Sequence, residues 1–455
     1  MQGRSIEKAI FLTNVSSYVM KGTGILASLF VLRVLSPGEF GAWKVALAIA
    51  SVASAWFMAI HPAVTAEMIR SEVDTEKERH GFTLWRGYWR LTLILGVLLM
   101  VASVVLGKTV SRWFGLEDAR LFYLAVVLIF LWVLKLHAQI WSKVLYQFRP
   151  ILWAQMIEGV SYILGLLVLT YYYRLGAFGL GIANIISVIF GLMCSGALIV
   201  KGWYRCPPTS FWQDIRELAQ LIRQHGKWAF IVKLLKDNID SFRIWFIQWM
   251  IGPHGVGLYS FAQSLLGQFL TLINIESVFV ATAARYVEAR DRFLRVLCQA
   301  SRLSVLVYGG IFLLACASVP FIVPYAFPAY VPGIPVFLTL APFILLNGVY
   351  VILANVFYIL RWQKRLSVIY IGRVVIFGLM ILIVGWKRPL VTASLEFVVG
   401  TGLQVVAMIY FLSKEFKRPA LAKELFVPTR EDFLELKLRA TRLLKIIFQR
   451  IHLSS

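Results

Sequence analysis

Five ionisable side chains fall between positions 233 and 243 of a stretch otherwise suited to hydrocarbon. The segment WAFIVKLLKDNIDSFRIW, starting at Trp228, carries Lys233, Lys236, Asp237, Asp240 and Arg243. An ionised group at the centre of a bilayer costs about 3 kcal/mol on insertion scales, so such groups face a partner or a solvated space. On a helix the pairs 233/237, 236/240 and 240/243 are surface neighbours, and each can form an ion pair. Three cations beside two carboxylates form a surface that can neutralise phosphate oxygens. The carboxylates can take up a proton when an incoming anion claims the cations.

Other polar residues sit in similarly apolar runs. Asn14, Ser17 and Lys21 are spaced i, i+3, i+7, which places them on one helix face. Lys135, His137, Glu158 and Arg373 complete the set. Lys44 and Lys135 lie towards the ends of their runs, where snorkelling to an interface is the competing reading. A single histidine such as His137 is more often simply hydrogen-bonded. Cations outnumber acids, so Lys21, Lys233, Lys236, Arg243 and Arg373, with Asn14, form the candidate substrate-binding set, and Asp240, Asp237 and Glu158 are the candidate coupling groups. The four cysteines (Cys194, Cys206, Cys298, Cys316) contain no CxxC pair. They read as buried free thiols rather than as a metal or disulfide framework.

These residues need long apolar helices to hold them. Of 455 residues 59% are apolar and 15% charged, and the mean hydropathy is +0.75. A span needs roughly 20 apolar residues. About twelve occur, at 10–32, 42–60, 91–106, 121–141, 151–172 and 177–200, then at 228–250, 256–284, 303–325, 333–357, 366–386 and 391–413. The expected fold class is therefore all-α, a polytopic membrane protein; a barrel would show alternating segments instead. With both termini cytoplasmic, 32 Lys and Arg lie on the inner side and 7 on the outer, or 22 against 7 without the distal tail. That asymmetry sets the orientation. It also accounts for the net charge of +23 through anionic phospholipids rather than nucleic acid. The first run is too long for a signal peptide and reads as a retained helix.

The chain punctuates itself twice. VLSPGEFGAWKVA at 34–46 and MIGPHGVGLYSFA at 250–262 align at an offset of 216, pairing Pro37 with Pro253, Gly41 with Gly257, Trp43 with Tyr259 and Ala46 with Ala262. The same offset takes Arg149 to Arg365 and overlays the last two spans of each half. Two pseudo-symmetric six-helix lobes follow, at 1–200 and 228–413. Between them lies a cytoplasmic amphipathic linker (201–227), expected along the membrane surface, and after them a basic amphipathic tail (414–455). Transporters built from repeats commonly carry substrate between the repeats by alternating access. Pro320, Pro324, Pro328, Pro332, Pro335 and Pro342 are expected to break the helices around them, as an irregular outer loop or a bent gate. No P-loop, HExxH or G-x-S-x-G occurs, so neither ATP-driven transport nor hydrolytic chemistry is indicated, and the chain reads as no enzyme.

Three stretches resemble the oligosaccharide flippases, Wzx-like proteins included, of the multidrug/oligosaccharidyl-lipid/polysaccharide exporter superfamily. They are NVSSYVMKGTGILASLFVLRVLSPGEFGAWKVALAI from Asn14, the Asp240 helix followed by GPHGVGLYSFAQSL from Gly252, and AYVPGIPVFLTLAP from Ala329. Lys21 and Asp240 match family positions. The resemblance implies movement of an undecaprenyl-diphosphate-linked oligosaccharide across the bacterial inner membrane for O-antigen, capsule or exopolysaccharide synthesis. It implies no cofactor, with a proton or sodium gradient as the open energy source, and polysaccharide polymerases and glycosyltransferases as prospective partners. Cation and drug exporters of the same superfamily are the alternative; they would favour an acid-dominated cavity, the reverse of the balance here.

Overall fold

The computed structural model describes Val19, residues 22–73, 75–145, 147–206, 210–223, 227–272 and 289–429, and the single residues Phe279, Ala283 and Tyr286. Asn14, Ser17, Lys21 and the tail beyond Thr429 lie outside the described residues. Every regular element described is helical. In chain order they are α1 (Gly22–Val34), α2 (Pro37–Val73), α3 (Thr75–Trp113), α4 (Ala119–Val144), α5 (Arg149–Gly165), α6 (Gly176–Arg205), α7 (Phe211–Leu221), α8 (Lys227–Thr271) and α9 (Arg290–Ala326). The short α10 (Ile334–Leu340) then leads to α11 (Pro342–Ile359), α12 (Gln363–Met380), α13 (Pro389–Phe416) and α14 (Leu421–Phe426).

Eight helices among the described residues are individually long and apolar enough to cross a membrane, and Pro37–Ala55 with Phe57–Thr65, bent by 51°, makes a ninth. The shorter apolar α1 and the two arms of α8 complete a layout consistent with twelve spans, with the short apolar Pro328–Leu340 leading into α11. α8 breaks at Gly252, whose φ of 74° only glycine adopts cheaply; Pro253 then starts the second arm. One expectation fails: α9 runs through Pro320 and Pro324 to Ala326. Both prolines fall in its last two turns, where each removes its own bond to the carbonyl four residues back and leaves the preceding turns intact. The break comes only at the 3-10 turn Pro328–Gly333.

Local chemistry explains the helix starts. Ser36 and Glu39 form a reciprocal capping box at α2: Glu39 N donates to Ser36 Oγ at 3.3 Å, and Ser36 N donates to Glu39 Oε2 at 3.0 Å, satisfying two orphan donors. Asp118 caps α4 by accepting from Arg120 N at 2.9 Å. The Arg120 side chain donating to it is the main cause that holds the Asp118 carboxyl below the usual range. This cap therefore persists at ordinary pH and weakens only as pH falls through that lowered value.

One element recurs near the 216-residue offset. α5 ends in a π-helical turn, Leu166–Tyr172, and α12 ends in another, Ile381–Gly385. Adding 216 to the first gives 382–388, overlapping the second.

The residues group into two compact units. The first comprises 1–264 with 324–333 and 386–390, and the second 265–323, 334–385 and 391–455. In the first unit the two punctuation motifs pack on one another. A Cβ added to Gly41 would lie 2.7 Å from Gly257 N and closer still to the Pro253 carbonyl; one added to Gly257 would lie 2.9 Å from Pro37 Cα and closer still to its carbonyl. Each copy therefore meets the other through equivalent positions, the reciprocity of a two-fold interface. Trp43, Tyr259, Ala46 and Ala262 are all buried. The third motif joins them: Tyr330 donates to Leu35 O at 3.1 Å and stacks on Phe261 at 4.7 Å.

The linker helix α7 also belongs to this unit, and its stripe is covered by protein rather than lipid. Leu218 and Leu221 join the buried cluster of Trp85, Tyr88 and Trp141. Asp214, fully buried, accepts from Arg86 Nε at 3.1 Å and Arg90 Nη1 at 2.7 Å. Cys206, at the C-terminal end of α6, is a free thiol that burial pushes up to about 12, so it stays protonated at neutral pH. In the second unit Phe343 packs on Phe397 at 4.4 Å, and α14 docks through Leu421 and Leu425, with Arg302 donating to Glu424 O at 3.3 Å.

Candidate functional site

The first arm of α8 has two faces of opposite character. Val232, Ile239, Phe246 and Ile247 are buried. The helix is pinned to its own unit by Ser241 Oγ with Ser51 Oγ at 3.0 Å and by Gln248 Nε2 donating to Phe114 O at 2.7 Å. The other face displays the charges. Lys233 and Asp237 pair at 2.6 Å with both side chains partly exposed, and Lys236 is exposed. Asp240 pairs with Arg243; the Asp240 side chain is 47% exposed, while Arg243 is wholly buried. Two of the three pairs expected from spacing thus form. The 236/240 pair does not, because Asp240 turns to the buried guanidinium, where the exchange of solvent for a charged partner gains most. What results is a half-solvated carboxylate holding one buried cation beside an exposed ammonium.

The remaining sequence candidates lie in separate networks. Lys135 pairs with Glu158, against Gly191, where a Cβ would stand 2.9 Å from Glu158 Oε2. Arg373, in the second unit, is 7% exposed; its Nε meets Glu396 Oε1 at 3.2 Å and its Nη1 meets Gln404 Oε1 at 2.8 Å. Its partner Glu396 carried no signal beyond being a lone acid in an apolar run. His137 shares a bond with Thr92 at 3.2 Å and is enclosed by Tyr88 and Trp89, matching the plain hydrogen-bonded reading.

Sequence reasoning gave Lys44 no site role, yet it lines a small cavity of about 180 Å³ with Ser28, Trp132, Tyr162, Asn184 and Ser264. Its ammonium lies over the Phe40 ring at 5.2 Å, a cation–π arrangement. Asn184 Nδ2 donates to Tyr162 OH at 3.3 Å. One clue was available in the sequence: Lys44 is an intramembrane cation three residues after Gly41, where the repeat carries Ser260.

Helices of this length and apolarity, with charged groups held at membrane depth, define a multi-pass membrane protein of the transporter class. Its fold is that of the multidrug/oligosaccharidyl-lipid/polysaccharide exporter superfamily. The family profile for polysaccharide biosynthesis proteins matches residues 30–329, and the chain belongs to that family. No curated protein matches the sequence. Among solved structures, the lipid II flippase MurJ in an inward closed conformation is similar at a TM-score of 0.70 and 11% identity, covering 97% of this chain and 93% of that one. An inward-facing MATE-family multidrug resistance transporter gives 0.69 at 14% identity, with 90% and 98% covered. A transporter of the same superfamily from Pyrococcus furiosus, described as having a binding pocket of reversed polarity, gives 0.60 at 14%, with 90% and 96% covered.

Proposed function

We propose that this protein is a flippase for a saccharide carried on a polyprenyl diphosphate, moving it from the inner to the outer leaflet of a bacterial inner membrane by alternating access. The observation that carries the reading is the charged face of α8, where the exposed Lys236 stands beside the partly exposed Lys233–Asp237 pair. A diphosphate entering hydrocarbon needs its charge paired, and ammonium groups supply that. Arg243 would hold Asp240 in place, while Lys21, Asn14 and Arg373 are proposed as further contacts. Membership of a polysaccharide biosynthesis family and a fold shared with a lipid II flippase support a lipid-linked cargo. The lobes are proposed at 1–200 and 228–413, with both termini cytoplasmic as the 32 to 7 charge asymmetry favours, and no step of the cycle requires enzymatic chemistry.

The second reading is export of an organic cation, favoured by one observation: Asp240 presents a half-exposed carboxylate on the same face. The two separate in proteoliposomes. With Lys233→Gln and Lys236→Gln combined, flipping of a fluorescent polyprenyl-diphosphate saccharide should slow about tenfold, the loss expected for charged hydrogen bonds. Unchanged flipping in that variant, or efflux of a lipophilic cation by the wild type without saccharide flipping, refutes the flippase reading.

A further inference from the structure

A second, larger cleft lies in the first unit, between α1, the start of α2 and the π-helical turn after α5. It has a volume of about 960 Å³ and is lined by Arg33, Glu39, Thr170, Tyr171, Tyr172 and Arg174, among others. Both arginines are exposed, and neither has an ion pair or hydrogen bond among the described residues. The one acid is already engaged. Glu39 Oε2 accepts from the Ser36 amide at 3.0 Å and hydroxyl at 2.9 Å, at a helix N-terminus that offsets its charge. Its other oxygen lies against Gly176, 3.3 Å separating a Cβ added there from the carboxyl carbon.

We propose that this cleft binds the phosphate of a membrane-lipid headgroup, with the two guanidiniums as its cationic clamp. Guanidinium presents a planar fork matched to phosphate oxygens, and tyrosines beside it suit the level of lipid headgroups. Arginines and tyrosines alone would describe any interfacial belt. Two features go further. Thr170 is 2% exposed, and its hydroxyl has no hydrogen-bond partner among the described residues. A buried hydroxyl without a partner is unfavourable unless a ligand or water oxygen completes it. Arg174 is also held at φ 54°, a left-handed backbone that costs a non-glycine residue energy. The same backbone follows the helix ends at Arg361 and Lys417, so it fixes where the guanidinium starts without by itself marking a site. The π-helical turn before it, Leu166–Tyr172, is a geometry frequent at functional sites.

The test uses purified full-length protein, delipidated in detergent, with bound lipid read by native mass spectrometry. The probes are phosphatidylglycerol, phosphatidylcholine as the zwitterionic control, and a polyprenyl diphosphate. Arg174→Gly is the informative variant, because glycine accepts the left-handed backbone while the guanidinium is lost. Its melting temperature should equal or exceed that of the wild type while phosphatidylglycerol affinity falls about tenfold. Arg33→Gln and the near-isosteric Thr170→Val should weaken the same probe without loss of fold. If polyprenyl diphosphate weakens in parallel, the phosphate bound can come from the cargo lipid. If only phosphatidylglycerol weakens, it comes from the bilayer. Both results support the site, and neither depends on flipping. Unchanged affinity for both anionic probes in Arg174→Gly and Arg33→Gln overturns it.

Discussion

At the scale of single residues, the sharpest consequence concerns Asp214, which is fully buried yet ionisable. It is held by Arg86, through two bonds at 3.1 and 3.3 Å, and by Arg90. Arg86 is itself buried, so deleting the carboxylate leaves a cation enclosed without its main counter-charge. Asp214→Ala should cost about 3 kcal/mol or more, read as a large drop in melting temperature of the detergent-solubilised protein, with the linker helix newly open to proteolysis. Glu217, one turn on and partly exposed, meets the exposed His80 at 3.1 Å and accepts from Gln213 Nε2 at 3.3 Å; Glu217→Ala should cost about 1 kcal/mol or less. Sequence could not reveal the Asp214 clamp, because its partners are 124 and 128 positions away. From the sequence the acid was one charge of an amphipathic linker expected along the membrane surface. The pairs within α8 were legible because both partners lie within one helical turn, and only the 236/240 pair was lost to a better competitor.

At the scale of elements, the doubled motif finds its reason. Gly41 and Gly257 are where α2 and α8 approach backbone to backbone, each against the other's proline carbonyl. The offset of 216 was visible because such approach admits only hydrogen at those positions, and a proline-led turn needs the same punctuation twice. That the two copies touch one another was not visible, since periodicity reports likeness and not adjacency. Gly41→Ala or Gly257→Ala should each destabilise by about 2–3 kcal/mol, the upper range for overpacking, because backbone rather than a flexible side chain must move. Gly38→Ala, with nothing within 4 Å of the new methyl, should be neutral or slightly stabilising in the first turn of α2. Thermal unfolding of the three variants side by side checks this. The π-helical turns, by contrast, left no mark in composition: Leu166–Tyr172 and Ile381–Gly385 are as apolar as the helices they end. The prolines of α9 misled, since proline propensity speaks for helix interiors in water, and two missing donors near a helix end inside a membrane protein can be tolerated.

At the scale of the whole molecule, we propose that Asp240 couples cargo movement to an ion gradient. Its carboxylate is half exposed and holds the buried Arg243, with the exposed Lys236 one turn away. In the resting state the carboxylate is engaged by the guanidinium. A diphosphate reaching this face competes for the same cations. Once it draws them away, the carboxylate is released from its partner. We propose that the freed carboxylate then exchanges that partner for a proton or sodium ion from solution, so that by reciprocity an ion gradient would bias cargo release. A purely structural ion pair predicts something different: loss of stability with no change in coupling. Asp240→Asn keeps the shape and a hydrogen bond to Arg243 while removing the titratable group. In proteoliposomes that variant should retain fold and cargo binding, and its flipping rate should lose its dependence on an imposed proton or sodium gradient. If flipping by Asp240→Asn responds to the gradient as the wild type does, the pair is scaffolding. Coupling then falls to Glu158, whose pairing with Lys135 repeats the same chemistry between α4 and α5.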